Sequence, residues 1–101
     1  ETGIIPKDVR NTGYLEFYMG QTKEPDIIGH VFMTDKFSGS PIESDEAIPQ
    51  WFPINGLPFH QMWPDDRIWM PVMLRGDKFR GIFYFDKDAD KLINHKMEVL
   101  E

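Results

Sequence analysis

Alternating apolar and polar positions predict two β-strands in the first third of the chain. Within 13–19 one face carries Leu15, Phe17 and Met19, and the other carries Tyr14, Glu16 and Tyr18. A repeat of two is typical of a strand. A second run of β-branched and aromatic residues occupies 27–34, after a polar turn at 20–25. The two strands are predicted to form a hairpin.

The middle of the chain has weaker patterns. The segment 38–41, Ser-Gly-Ser-Pro, predicts a loop. A short strand is predicted at 48–54, where Pro49 and Pro53 interrupt the apolar run. Because proline cannot donate a backbone hydrogen bond, this strand is expected at an edge or an irregular position of a sheet.

Residues 64–74 are predicted to form a helix. The segment opens with a proline followed by Asp65 and Asp66, two acids that complement the positive end of the helix dipole. Apolar side chains fall on nearly every face of this helix, which indicates a buried position. Pro71 is expected to kink or loosen the helix, and Gly76 to end it.

The last third of the chain returns to strand periodicity. Within 78–85 one face carries Phe79, Gly81, Phe83 and Phe85. A turn at 86–90 separates this strand from a last, weaker strand at 92–100. The fold class predicted is therefore α+β, a mixed β-sheet with one buried helix in the C-terminal half.

Composition narrows the function classes. A chain of 101 residues is one domain at most, and 41% hydrophobic with 14% aromatic residues favours a folded interior. The absence of cysteine excludes disulfides, thiolate metal sites and cysteine nucleophiles. A net charge of -6 disfavours binding to nucleic-acid polymers and anionic membranes. A small nucleotide stays possible, since a bound metal can supply positive charge.

Two segments with carboxylates could carry chemistry. Residues 1–4, Glu-Thr-Gly-Ile, are also typical of a helix end followed by a glycine cap. The acidic segment 43–46 precedes an aromatic pair and can supply oxygen ligands to a hard cation such as magnesium. A solvated acidic loop explains the same segment without a ligand.

A third acidic segment combines an aromatic ring with two carboxylates. Trp63 is followed by Asp65 and Asp66 at the start of the predicted helix. An aromatic ring can pack on a purine, and carboxylates can accept hydrogen bonds from its edge. If the two acids are partly buried, desolvation and mutual repulsion raise one pKa, so that a protonated acid can donate to a base carbonyl. Charge matching at a helix N-terminus is the simpler alternative.

In order along the chain, these segments resemble the Nudix hydrolases. Residues 1–4 are similar to the last four positions of the Nudix box. The following segments match in the family's order: 15–17, 30–32, 41–46, 51–52, 57–59, 62–66 and 79–85. The segments 43–52 and 57–66 are the most specific. They resemble the MutT-homologue branch, whose members hydrolyse oxidised purine nucleoside triphosphates such as 8-oxo-dGTP.

The resemblance implies roles for individual residues. Glu1 and Glu46 would be catalytic and would hold Mg²⁺. The expected base-binding residues are Trp63, Asp65, Asp66, Leu15 and either Ile27 or Ile28. The parent protein would release monophosphate and pyrophosphate from a purine nucleoside triphosphate, with magnesium activating a water.

The resemblance also implies that residues 1–101 are the C-terminal part of a single Nudix domain. Its N-terminal strands and most of its catalytic helix would be missing, so the chain alone is expected to be inactive. The parent is expected to be cytoplasmic, and monomeric when complete. Three alternatives stay open: a non-catalytic nucleotide-binding module, a Nudix hydrolase of another diphosphate-linked substrate, and an acidic interaction domain.

Overall fold

A computed structural model describes residues 2–45 and 48–100 of the chain. The regular elements of this part are β1 (Ile4–Lys7), β2 (Arg10–Met19), β3 (Ile27–Met33), β4 (Lys36–Gly39), α1 (Asp66–Leu74), β5 (Lys78–Phe85) and β6 (Leu92–Leu100). Two short 3-10 turns, Ile54–Gly56 and Phe59–Gln61, lie between β4 and α1. The chain divides into two compact units. The first comprises the residues up to Arg10 together with Phe32–Leu57, and the second comprises Asn11–Val31 and the chain from Pro58 onward.

The first unit contains a two-stranded antiparallel sheet that the sequence pattern did not predict. Strands β1 and β4 pair from Ile4 with Gly39 to Lys7 with Lys36. The prediction of a loop at 38–41 is therefore wrong for its first half. A strand of four residues is too short to display a period-two pattern, so only pairing with a partner strand reveals it.

The strand predicted at 48–54 is also wrong. Residues 48–53 have no regular structure, and Ile54–Gly56 forms a 3-10 turn. Pro49 and Pro53 each lack a backbone N–H, and two missing donors within five residues leave little for a sheet ladder to use.

The second unit is built on a four-stranded sheet with the order β3-β2-β5-β6. Strand β2 runs parallel to β5, from Gly13 beside Phe79 to Met19 beside Phe85. Strand β5 is antiparallel to β6. The sheet is therefore mixed, and with one helix it confirms the predicted α+β class. Strands β2 and β3 are neighbours in the sheet, as the predicted hairpin requires.

The core of this unit follows the period-two pattern of β2 and β5. Its buried hydrophobic side chains are Leu15, Phe79, Phe83 and Phe85. The ring of Phe17 stacks on that of Phe83, with centroids 5.8 Å apart. A Cβ at Gly81 would lie 2.7 Å from the ring of Phe83 on the same strand and 3.1 Å from Leu15 on β2, so a glycine leaves room for these core side chains.

Helix α1 packs on this core by one side only. Ile68, Trp69, Val72 and Met73 contact it, whereas Pro71 is exposed. None of the helix residues is fully buried, so the prediction of a helix buried on nearly every face is wrong. A helix lying on one face of a sheet covers a single stripe of its own surface.

The end of the helix agrees with the sequence pattern. The helix continues past Pro71 to Leu74, and the N–H of Gly76 donates to the carbonyl of Met73 at 2.9 Å. Gly76 has a φ of 87°, a left-handed conformation that favours glycine. In the described part of the chain no helix combines the length and apolar character needed to cross a membrane.

Candidate functional site

The turn that leads into α1 holds Trp63 and Asp66 by two backbone contacts. The N–H of Asp66 donates to the carbonyl of Trp63 at 3.0 Å. In return, Oδ2 of Asp66 accepts the N–H of Trp63 at 3.1 Å. The two residues are thereby fixed relative to one another by the local chain, before any tertiary contact is made.

Asp65 is the most deeply buried charged residue of this turn. The residue is only 3% exposed, and its Oδ2 accepts a hydrogen bond from the indole Nε1 of Trp69 at 2.8 Å. Asp65 and Trp69 are four residues apart, a spacing that places side chains on the same side of a helix. The Trp69 ring in turn stacks on Phe79, with centroids 5.8 Å apart.

Asp66 differs from Asp65 in its electrostatics. Burial raises the pKa of the Asp66 carboxyl above its ordinary value, and the neighbouring charge of Asp65 raises it further. The hydrogen bond from the Trp63 N–H opposes this rise in the pKa without cancelling it. The sequence-based expectation that burial and repulsion raise one pKa of the pair is confirmed.

These side chains line a cavity of about 300 Å³. Its wall is formed by Phe17, Met19, Ile27, Trp63, Asp65, Asp66 and Trp69. The two carboxylates are its charged groups, and the remaining wall is aromatic or aliphatic. A small cavity with an apolar wall and a few convergent polar groups is typical of a small-molecule site.

Trp63 is the most accessible ring of this cavity. The residue is 55% exposed, and its ring meets that of Phe85 edge to face, with centroids 6.1 Å apart and planes at 88°. Contact with a fully buried phenylalanine holds the indole on one side, while more than half of the residue stays exposed. An aromatic face next to two carboxylates suits a flat, polar-edged ring such as a nucleobase.

Of the base-binding residues predicted from the sequence, the cavity brings together Trp63, Asp65, Asp66 and Ile27. Ile28 does not line it, because neighbouring residues of a strand point to opposite faces of the sheet. Leu15 does not line it either. At 4% exposed, Leu15 belongs to the hydrophobic core.

Three residues of the cavity wall were not predicted: Phe17, Met19 and Trp69. Phe17 and Met19 share a strand face with Leu15, so the alternation already placed them on the correct side of β2. The alternation does not show which positions along the strand reach the cavity. Trp69 could have been found from its spacing of four residues after Asp65.

The proposed metal ligands are not placed by the structure. Glu1 and Glu46 lie outside the described residues. Within residues 2–45 and 48–100, no group of three or more histidine, aspartate or glutamate side chains converges on a point where a metal ion could bind. The magnesium site thus stays a prediction from the sequence.

A second polar cluster lies on β2 and β5, formed by side chains that alternate with those of the core. The carboxylate of Glu16 accepts the hydroxyls of Tyr14 at 2.6 Å and Tyr18 at 3.0 Å. Arg80 lies 4.0 Å from the same carboxylate and 5.9 Å from the centroid of the Tyr14 ring. The Tyr14 hydroxyl, above all, lowers the pKa of Glu16. These internal partners explain the charge of Glu16 without a ligand.

Comparison with known proteins identifies relatives of the whole chain. A zebrafish (Danio rerio) protein is 39% identical over 102 aligned positions, and a mouse (Mus musculus) protein is 33% identical over the same length. Both are named oxidized purine nucleoside triphosphate hydrolase. The alignments cover 100% of this chain but 64% of each relative. No family model matches the chain. The two relatives confirm the resemblance inferred from the sequence.

Proposed function

We propose that this chain, a homologue of the oxidized purine nucleoside triphosphate hydrolases, carries the base-recognition site of a Nudix-type enzyme with that activity. The observation that carries the proposal is the cavity at the start of α1. The ring of Trp63 and the carboxyl groups of Asp65 and Asp66 line this cavity together, and the rest of its wall is apolar.

The two carboxyl groups suit the edge of an oxidised purine, which presents both N–H donors and carbonyl acceptors. Asp65 accepts a hydrogen bond from Trp69 and keeps further lone pairs that can accept an N–H of the base. Burial and the neighbouring charge raise the pKa of Asp66, which makes its protonation easier than in water, and a protonated carboxyl can donate to a carbonyl. Neighbouring groups of opposite hydrogen-bonding character recognise such an edge better than two identical acceptors.

The alternative of simple helix capping agrees less well with the contacts. Asp65 stands at the N-cap position, yet its side chain makes no capping hydrogen bond to the helix backbone. Its carboxylate is instead directed to an indole beside the cavity. This observation argues against a capping role for Asp65, and the cavity beside the two acids favours base recognition.

The rest of the proposed reaction rests on the resemblance. The enzyme would release monophosphate and pyrophosphate, with Glu1 and Glu46 as ligands of Mg²⁺. Carboxylate oxygens are the ligands that magnesium prefers. When bound, the metal would offset phosphate charge and activate a water. The base pocket of this chain would hold and orient the nucleotide.

Substitution of the two acids tests base recognition. In the full-length natural protein, Asp65→Asn and Asp66→Asn should each weaken binding of 8-oxo-dGMP by about ten- to hundredfold, because removal of a hydrogen-bond partner in a dry site costs about 1–3 kcal/mol. Magnesium affinity should hardly change. Calorimetric titration with the monophosphate and with magnesium separates the two effects. Asp88→Asn, on an exposed turn, is the matched control. Unchanged monophosphate binding in both variants contradicts the proposal.

Glu46→Gln tests the metal assignment independently. Turnover should fall while binding of 8-oxo-dGMP is nearly preserved, because the proposed role of Glu46 concerns the phosphates and not the base. Steady-state pyrophosphate release and the same titration measure the two quantities. If the variant keeps full turnover, Glu46 is not a metal ligand. The proposal of base recognition by Asp65 and Asp66 is not affected by that result.

A further inference from the structure

We propose that Trp69 is a positioning residue, whose indole N–H orients the Asp65 carboxylate for the purine base. This inference rests on the proposed function and deepens it. Trp69 stands one helical turn beyond Asp65 and lines the same cavity. Its contribution is distinct from packing against the base, since it acts through the acid.

The hydrogen bond between Trp69 and Asp65 is short, and its acceptor is buried. The indole Nε1 lies 2.8 Å from Oδ2 of Asp65, and the aspartate is 3% exposed. A charged acceptor shortens and strengthens a hydrogen bond, and little water is present to compete for it. The carboxylate is therefore held in one rotamer.

The donor is itself held by the hydrophobic core. The Trp69 ring stacks on Phe79 at a centroid distance of 5.8 Å and an interplanar angle of 23°. Phe79 is 1% exposed and belongs to the core cluster on β5. A continuous series of contacts thus runs from the sheet through the indole to the carboxylate at the cavity wall.

The two acids are oriented by different kinds of donor. Asp66 accepts the backbone N–H of Trp63, and the Trp69 indole acts on the Asp66 carboxyl only as a weaker hydrogen-bond donor. Asp65 is held by a side chain. A carboxylate has about four lone-pair positions, so the bond to Trp69 leaves acceptor capacity for a ligand while it fixes where that capacity points. Substitution of Trp69 should therefore release the Asp65 carboxylate and leave Asp66 with its bond to the backbone N–H of Trp63.

Trp69→Phe in the full-length protein tests the proposal. Phenylalanine keeps an aromatic face for Phe79 and removes the N–H. Affinity for 8-oxo-dGMP should fall by about tenfold, the size expected for one lost hydrogen bond to a charged group. KM for the triphosphate should rise with kcat nearly unchanged. Trp51→Phe removes an exposed indole N–H of the other unit and is the matched control.

A double-mutant cycle separates orientation from packing. If Trp69 acts through Asp65, then Trp69→Phe should have little further effect on affinity in an Asp65→Ala background, because alanine, unlike asparagine, offers the indole N–H no side-chain acceptor. An equal loss in both backgrounds overturns the proposal, because the ring then acts directly. Replacement of Trp69 by benzothienylalanine, which preserves the fused ring and lacks the N–H, repeats the test if the phenylalanine variant folds poorly.

The outcomes also distinguish this inference from the proposed function. If Asp65→Asn weakens binding and neither replacement of Trp69 does, the positioning role is overturned and base recognition stands. If Asp65→Asn itself has no effect on binding, base recognition by Asp65 is overturned, and the role of Trp69 with it.

Discussion

Asp65 and Asp66 are identical residues at consecutive positions, and the structure gives them different environments. Asp65 is buried against an indole N–H, whereas Asp66 is half-buried and accepts a backbone N–H. Desolvation and the neighbouring charge raise the pKa of Asp66. Two identical side chains therefore differ in their burial and in their hydrogen-bond partners.

The raised pKa of Asp66 predicts a pH dependence of stability. The folded protein binds the Asp66 proton more tightly than the unfolded chain does. The stabilisation from this proton is fully present below the ordinary aspartate pKa of 3.8 and is lost as the pH rises through the higher folded value. Asp66→Asn carries no such proton. The free energy of unfolding of the variant, minus that of the parent, should therefore increase as the pH rises through this window.

Urea denaturation of both proteins at a series of pH values measures this difference. Asp88→Asn controls for the removal of a carboxylate from an exposed position. A difference between Asp66→Asn and the parent that is flat with pH, or that decreases as the pH rises, contradicts the assignment of a raised pKa to Asp66.

At the scale of elements, the parallel pairing of β2 with β5 places the cavity. Phe17 pairs with Phe83 and Met19 with Phe85, so the end of β2 that carries the cavity lining lies beside the core of β5. The glycine at position 13 of β2 leaves room for a core ring of β5. A Cβ at Gly13 would lie 2.3 Å from the Phe79 ring, the ring that supports Trp69.

Gly13→Ala should therefore destabilise the protein by about 1–3 kcal/mol, because the added methyl forces a fully buried ring out of its place. Gly29→Ala is the matched control within the neighbouring strand β3. A Cβ there would lie at ordinary contact distances of 3.7 and 3.8 Å, so this substitution should be neutral or stabilise by up to about 1 kcal/mol. Chemical denaturation measures both effects. Equal effects at the two positions contradict the packing argument.

At the scale of the whole molecule, much apolar surface is exposed. Among the described residues, four hydrophobic residues are buried, all of them in the sheet of the second unit. Large hydrophobic residues elsewhere are open to solvent, including Trp51 at 63% and Ile48 at 75%. Exposed apolar surface of this extent is a hazard for a soluble protein unless another surface covers it.

We therefore expect the 101-residue chain, expressed by itself, to bind a hydrophobic dye such as ANS and to aggregate on heating. Ile48→Gln, at an exposed position of the first unit, should lower dye binding without lowering the free energy of unfolding. Dye fluorescence and light scattering measure these properties. A sharp, reversible thermal transition of a monomer that does not bind the dye contradicts this expectation.

The sequence by itself determined the elements with clear periodicity. The alternation in 13–19 and 78–85 located β2 and β5 and their common apolar faces, and the acidic start of the apolar segment after Pro64 located α1. Local order along the chain suffices for such elements, because the spacing of side chains on one strand or helix is fixed by backbone geometry. The same local order placed Trp63 beside Asp65 and Asp66.

Only the tertiary structure decided which residues the cavity contains. Leu15, Phe17 and Met19 share one strand face, and nothing in their spacing shows that the last two reach the cavity while the first is enclosed in the core. Ile27 and Ile28 differ only in the face to which each points. The short pair β1 and β4 and the bond from Trp69 to Asp65 likewise depend on partners that packing supplies. Periodicity specifies which face of a strand a residue occupies. Whether that residue reaches the cavity depends on the register between the strands and on where the helix packs across them.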